Sequence, residues 1–162
     1  MPNFLSRIYF RFKYGIRIYL NILEDEKRSS LFYRLEKHYS RRGENYPSLQ
    51  TPEYIHDYLR RVEPQIMKIF MSLLKIKNID NCWALCVLNS GESVWHTHEN
   101  CKRTCVYYLQ NPEGLGTEFD YKGRKFRIDL PTNSLMSFPS DLKHRPPDHI
   151  KYPRYTFAIN YD

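Results

Sequence analysis

The chain has 162 residues, enough for one domain with a hydrophobic core and short for two. No stretch reaches the roughly 18 uninterrupted apolar residues of a membrane-spanning helix, so the sequence predicts no such span. The net charge of +7 favours an acidic substrate, an acidic partner or an anionic surface, and it carries no information about the fold.

The first 23 residues contain four basic side chains and no acidic one. Apolar residues recur at helical spacing from Leu5 to Leu23, which predicts an amphipathic helix that packs on the domain. A helix lying on a membrane surface is the alternative. Basic residues within the apolar stretch argue against a secretory signal, so we expect a cytoplasmic protein with free thiols at its four cysteines, Cys82, Cys86, Cys101 and Cys105.

Further helices are predicted in the first half of the chain. Residues 26–41 have a helical apolar stripe, Thr51-Pro52 has the form of a helix start, and Glu63-Pro64 has the form of another. The stripe from Ile66 to Leu74 is typical of a helix that faces a core. Residues 1–80 are therefore expected to be a helical support.

The pattern changes to short apolar or alternating runs after residue 81. Turn signals such as Asn89-Ser90-Gly91 separate these runs, and many short strands at such spacing are typical of a sandwich or jelly roll. We therefore expect one domain over residues 1–162, mainly β, with its core in 81–162. The predicted strands are 82–88, 104–110, 117–121, 126–130, 134–138 and 155–161.

Three histidines suggest a metal site. His96 and His98 point to the same side of an extended chain, so both imidazoles can reach one ion. His144 follows an apolar strand and a proline-containing turn, and a jelly roll can bring such a turn beside the first pair. Three protein ligands on one face would leave coordination positions open.

Arg154 lies ten residues after His144, at the start of the last predicted strand. Strand alternation places Arg154 and Thr156 on one face. A guanidinium on an inward face needs an anion, and it binds a carboxylate through two hydrogen bonds, to which a threonine hydroxyl can add a third. An arginine at the solvent-exposed rim of the sheet is the alternative.

In this order the motifs resemble those of the 2-oxoglutarate- and Fe(II)-dependent oxygenase superfamily, particularly its small prolyl-hydroxylase-like members and its bacterial and phage members. The resemblance covers residues 83–160, about half of the chain. The matching elements are His96-Thr97-His98, Thr104 to Leu109, Gly114 to Phe119, Phe138 to His144, and Arg154 to Asn160.

The resemblance implies a double-stranded β-helix, that is a jelly-roll or cupin-like core, supported by helices. It implies that His96, His98 and His144 hold Fe(II), with no catalytic residue beyond the metal centre. Arg154 would bind the remote carboxylate of 2-oxoglutarate, assisted by Thr156 and by Tyr108. The expected reaction is the hydroxylation of an unidentified peptide or small molecule by O2, with release of succinate and CO2.

The sequence departs from the commonest triad of that superfamily at His98, where Asp or Glu is usual. Two alternatives therefore stand beside the oxygenase: a three-histidine cupin-type metalloenzyme that does not use 2-oxoglutarate, and a non-catalytic β-sandwich binding module. An acidic substrate fits the basic charge of residues 121–154. Nucleic acid is a less favoured partner, because no motif of stacked aromatic residues is evident.

Overall fold

The computed structural model describes residues 2–41, 48–88, 94–148 and 150–162. The turn predicted at Asn89–Gly91 lies outside these ranges. The helices are α1 (Phe4–Tyr14), α2 (Asp25–Glu36), α3 (Ile55–Val62) and α4 (Pro64–Leu74). The strands are β1 (Arg17–Leu20), β2 (Ser40–Arg41), β3 (Ser48–Gln50), β4 (Asn81–Val87), β5 (Arg103–Gln110), β6 (Thr117–Tyr121), β7 (Arg124–Ile128), β8 (Ser134–Pro139), β9 (Lys143–Arg145) and β10 (Arg154–Tyr161).

The strands form two antiparallel sheets. The larger has seven strands in the order β1-β8-β5-β10-β4-β3-β2, and the smaller has three in the order β7-β6-β9. The prediction of a mainly β fold with helices in the front half is thus confirmed. No helix in the described ranges is long and apolar enough to cross a membrane.

The two faces of the larger sheet bury different side chains, as period-two alternation requires. One face packs on α2, α3 and α4, and the neighbours Tyr107 and Phe157 belong to that core. The other face contributes Tyr108 and Met136 to a second core, which includes Phe119 of the smaller sheet. The second face therefore looks toward the smaller sheet.

The helix predicted over residues 1–23 ends early, at Tyr14. Gly15 terminates it with a φ of +68°, a backbone conformation that glycine adopts without strain. The chain then becomes β1, which pairs with β8 and buries Ile16 and Ile18 at alternate positions. Helical spacing of the apolar residues was a misleading signal here, since the same residues also fit a strand.

Two other boundaries in the front half differ from the prediction. The helix expected over 26–41 ends at Glu36, and β2 and β3 follow as an extension of the sheet beside β4. The helix expected at Thr51 begins at Ile55, because the Thr51 hydroxyl accepts the Ala84 backbone N–H at 2.9 Å and so ties this segment to β4. The described part of the first 80 residues therefore combines four helices with three strands.

The remaining helix prediction is confirmed. Helix α4 begins at Pro64. Backbone N–H groups in the first turn of a helix have no intrahelical acceptor, so proline, which lacks this group, costs no hydrogen bond there. It buries Ile66, Phe70 and Leu74 against the sheet.

We expect Gly116→Ala to destabilise the protein by about 3 kcal/mol, because a methyl group would overpack a closed backbone contact. A Cβ at Gly116 would lie 1.5 Å from the Ile128 carbonyl oxygen, so the strands that flank this contact would have to separate. Urea unfolding measures the change in the free energy of unfolding.

Gly114→Ala is the matched control. Its φ is +69°, but a Cβ there would meet open space, so only backbone strain of about 1 kcal/mol is expected. Equal losses in the two variants would contradict the account of Gly116.

Candidate metal centre

The backbone brings two of the predicted histidines face to face. His96 and His144 form an antiparallel bridge in which each backbone N–H donates to the other's carbonyl at 3.0 Å. His98 is held next to them by its own N–H, which donates to the Ser140 carbonyl at 2.9 Å. The segment after Val94 is thereby fixed against β9, which carries His144, and against the turn before it.

The three imidazoles form one cluster. The ring centroids lie 4.4 Å apart for His96 and His144, 5.1 Å apart for His98 and His144, and 5.2 Å apart for His96 and His98. One nitrogen from each ring can be chosen so that all three lie within 4.8 Å of one another. That spacing fits three ligands of one ion.

The Nδ1 atoms of two histidines are already hydrogen-bonded. Nδ1 of His96 lies 2.9 Å from the Val94 carbonyl, and Nδ1 of His144 lies 2.8 Å from the Leu142 carbonyl. A carbonyl can only accept, so both Nδ1 atoms carry the proton and both Nε2 lone pairs are available to a metal.

His98 has a carboxamide as its neighbour. Asn160 Nδ2 lies 3.4 Å from His98 Nδ1, and Asn160 Oδ1 accepts the Thr104 hydroxyl proton at 2.9 Å. A half-turn of this carboxamide would let Oδ1 accept a proton from His98 Nδ1, with the Thr104 hydroxyl as acceptor of Nδ2–H. Asn160 can thus support either tautomer of His98.

Burial keeps two of these imidazoles neutral. Burial, with a smaller contribution from the neighbouring His96, lowers the pKa of His98 to about 4 and that of His144 to about 3. Neutral imidazole is the form that binds metal, so protons do not compete at these two residues near pH 7. A set of nitrogen ligands suits iron, nickel, copper or zinc.

The cysteines do not compete for this role. All four are free thiols, as expected, and Cys82, Cys86 and Cys105 are buried. Burial raises the pKa of each buried thiol, which disfavours the thiolate that a metal requires. In the described part of the chain, the histidine cluster is the group of side chains that could hold a metal ion.

The cluster lines a cavity of about 480 Å³ that also contains Arg154. The exposed fraction of Arg154 is 3%, and its Nε atom is buried without a hydrogen-bond partner. No carboxylate of the described residues pairs with it, and burial lowers its pKa, an effect that Tyr108 opposes. A buried guanidinium without an anion is strongly disfavoured, so the cavity has the character of an anion site.

Thr156 and Tyr108 lie next to this guanidinium, opposite each other on β10 and β5. Thr156 lines the cavity, and the Arg154 guanidinium carbon lies 5.0 Å from the centre of the Tyr108 ring. The Tyr108 hydroxyl is engaged with Thr117, whose backbone N–H donates to it at 3.1 Å and whose hydroxyl lies 2.8 Å away.

Three residues of the cavity were not assigned a role from the sequence. Thr117 and Trp83 line it, and Trp83 lies 5.6 Å from His98 between ring centroids. Asn160 is on the face of β10 that carries Arg154, and the motif that ends at Asn160 was the signal that could have identified it. The contact between Thr117 and Tyr108 depends on how the strands pack, so the spacing of residues in the sequence could not predict it.

Searches of protein-family models and of curated proteins find no match to this sequence. Solved structures match over nearly its whole length. An oxidoreductase of the 2OG-Fe(II) oxygenase family from Burkholderia pseudomallei gives a TM-score of 0.71 at 8% identity, covering 98% of this chain and 89% of that chain. The fold is that of the 2-oxoglutarate- and Fe(II)-dependent oxygenases. This match in fold confirms the resemblance noted in the sequence.

Two other structures connect the fold to ligands of those proteins. HygX from Streptomyces hygroscopicus, solved with nickel and 2-oxoglutarate, gives a TM-score of 0.66 at 9% identity and covers 96% of this chain and 86% of that chain. A prolyl hydroxylase from Trichoplax adhaerens, solved with a peptide fragment of hypoxia inducible factor, gives 0.63 at 15% identity and covers 96% and 87%.

We expect His96→Ala, His98→Ala and His144→Ala each to weaken Ni²⁺ binding about 100-fold or more, since each removes one of three protein ligands. Isothermal titration of the metal-free protein measures the affinity. His38→Ala, which removes a histidine that contacts Tyr58 outside the cavity, is the control and should bind Ni²⁺ like the parent. Unchanged affinity in any of the three cluster variants would contradict the site.

Proposed function

We propose that this protein is an Fe(II)- and 2-oxoglutarate-dependent oxygenase that hydroxylates a substrate and releases succinate and CO2. The observation that carries the proposal is the buried, unpaired guanidinium of Arg154 in the same cavity as the histidine cluster. A keto acid that binds a metal at one end and carries a second carboxylate at the other would satisfy both parts of that cavity.

The three histidines would hold the metal through Nε2. The hydrogen bonds from Nδ1 to the Val94 and Leu142 carbonyls fix the orientation of two rings, and Asn160 supports the third. Iron and 2-oxoglutarate, once bound, supply with O2 the oxidising chemistry that converts a C–H bond to an alcohol. The chain's own contribution is to position these groups and to exclude water from them.

Arg154 would bind the remote carboxylate through two parallel N–H donors. Thr156 would add a hydroxyl donor from the same strand face. The Tyr108 hydroxyl accepts the Thr117 N–H, so its own proton is left to donate, either to the Thr117 hydroxyl or to the carboxylate. In the first case Tyr108 acts through Thr117, and in the second it is itself a ligand of the carboxylate.

In the described part of the chain the histidine cluster contains no carboxylate, which changes the charge of the proposed site. A divalent metal and Arg154 bring three positive charges, and 2-oxoglutarate brings two negative ones. One positive charge remains, whereas an acidic residue in place of His98 would have cancelled it. The extra charge favours retention of a dianion in the cavity.

We further infer that the two sheets are the halves of a double-stranded β-helix, and that residues 1–162 form a single oxygenase domain. The lengths of the matched structures support this, since this chain covers 86–89% of the B. pseudomallei oxidoreductase, HygX and the T. adhaerens prolyl hydroxylase. The free thiols agree with a reducing compartment, and we propose the cytoplasm.

The two alternative functions explain fewer of the features of the cavity. A cupin-type metalloenzyme without 2-oxoglutarate would use the histidines but would leave the Arg154 guanidinium buried and unpaired. A non-catalytic β-sandwich module would need neither the convergence of the three imidazoles nor the arginine.

The substrate would occupy the part of the cavity beyond the metal. Trp83 offers an aromatic face there, and Gln50 and Asn81 each have a buried side-chain oxygen without a hydrogen-bond partner. A polar substrate that donates hydrogen bonds to carboxamides fits this lining, as a peptide or a small molecule can. Nucleic acid remains a less favoured partner.

We expect Arg154→Ala to weaken 2-oxoglutarate binding by roughly 30- to 1,000-fold, because a charge-assisted contact with two hydrogen bonds is lost. Arg154→Lys keeps the charge but not the paired donors, so its affinity should lie between those of Arg154→Ala and the parent. The measurement is anaerobic titration of the Fe(II) protein, followed by the visible charge-transfer band of the chelate, with iron content determined separately.

Arg103→Ala is the matched control for the loss of an arginine from the same sheet. Its Nε donates to the Ser137 hydroxyl at 3.0 Å and its Nη2 to the Gly15 carbonyl at 2.8 Å, and Arg103 does not line the cavity. Parental affinity in Arg154→Ala would refute the assignment and would favour the cupin-type alternative.

A further inference from the structure

Helix α1 is attached to the domain by one face only. Tyr14 is buried and its ring lies 4.6 Å from that of Phe126, on which Phe10 also stacks at 6.1 Å. Arg7 adds a hydrogen bond of 2.8 Å from Nη2 to the Ile18 carbonyl. These contacts fix the helix to β1 and β7, and they use none of the side chains on its outer face.

The outer face of α1 is apolar and exposed. At 100° per residue, five large side chains fall within an arc of about 140°, a continuous stripe on one side of the helix. Elsewhere in the described ranges, exposed large hydrophobic residues are scattered over α2 and loops, as is normal on a protein surface. The stripe consists of Phe4 (74% exposed), Leu5 (73%), Ile8 (37%), Tyr9 (46%) and Phe12 (84%).

Cations flank this apolar stripe on both sides. Arg11 lies about 20° beyond one edge and Lys13 about 40° beyond the other, and both are exposed. The β6–β7 hairpin adds exposed Lys122 and Arg124 beside the helix, since Tyr14 contacts Tyr121 in that hairpin. Residues 1–23 contain no acidic side chain.

We propose that the outer face of α1 docks on an anionic lipid surface. An apolar stripe with a cation on each side is the arrangement in which a helix lies in the headgroup region, with its apolar side chains inserted and its cations on the lipid phosphates. The stripe would enter the membrane while the inner face remains packed on the domain. No unfolding or release of the helix is required.

Charge decides between a membrane and a second copy of this chain. A symmetric dimer through α1 would bring the same stripe and the same cations against each other, so Arg11 and Lys13 would meet like charges. An anionic surface neutralises those cations while it covers the stripe. A docked nucleic acid would neutralise them too, but it would leave the Phe4 and Phe12 side chains in water.

The test is co-sedimentation of the full-length protein with phosphatidylcholine vesicles that contain or lack phosphatidylserine. The parent should bind the anionic vesicles and bind the neutral ones much more weakly. Phe12→Ser and Phe4→Ser should each reduce partitioning roughly 10-fold, because each removes an aromatic side chain that would insert among the lipids. The double variant Arg11→Glu with Lys13→Glu should abolish the preference for anionic vesicles.

Matched controls replace an exposed tyrosine and an exposed lysine on other helices. Tyr33→Ser on α2 and Lys68→Glu on α4 should bind anionic vesicles like the parent, and so should Arg154→Ala, because the surface is independent of the cavity. Parental binding by Phe12→Ser, or no binding by the parent, would overturn the proposal. A dimer in solution that Phe12→Ser dissociates would do so too and would assign the stripe to a second copy.

Discussion

The guanidinium of Arg154 is almost completely buried, and the described part of the chain supplies no carboxylate to pair with it. A fold can retain such a group only if an anion joins it in the working state, because the desolvation of an isolated charge is very unfavourable. The surrounding structure is arranged around this need: Tyr108 lies under the guanidinium, Thr117 holds the Tyr108 hydroxyl, and Thr156 faces the same cavity. We therefore propose that Arg154 is one half of an ion pair whose other half is a bound carboxylate.

We propose that the other end of the cavity binds a cation. Burial keeps His98 and His144 neutral, and one nitrogen of each of the three imidazoles lies within ligand spacing of the other two, an arrangement that a bound metal would stabilise. A molecule with a metal-chelating end and a carboxylate end completes both halves at once. The substitution of histidine for the usual acidic ligand, at His98, leaves that requirement intact and makes the site more positive.

Much of this site could be predicted from the sequence, because it depends on strand alternation. Arg154 and Thr156 share a face whatever the rest of the chain does, and so do His96 and His98 in an extended segment. What could not be predicted depends on contacts between distant segments. Helical spacing concealed β1, whose partner β8 lies more than 100 residues away, and the contact of Thr117 with Tyr108 follows from the packing of two sheets.

The most direct test of the account compares two keto acids that differ only at the end that Arg154 should recognise. The Fe(II)-loaded parent protein is titrated without oxygen, once with 2-oxoglutarate and once with 2-oxobutyrate, which has the same chelating end but lacks the remote carboxylate. The charge-transfer band reports binding of both. The account predicts that 2-oxoglutarate binds at least about 30-fold more tightly. Equal affinities would show that Arg154 does not bind the remote carboxylate, and would contradict the central claim.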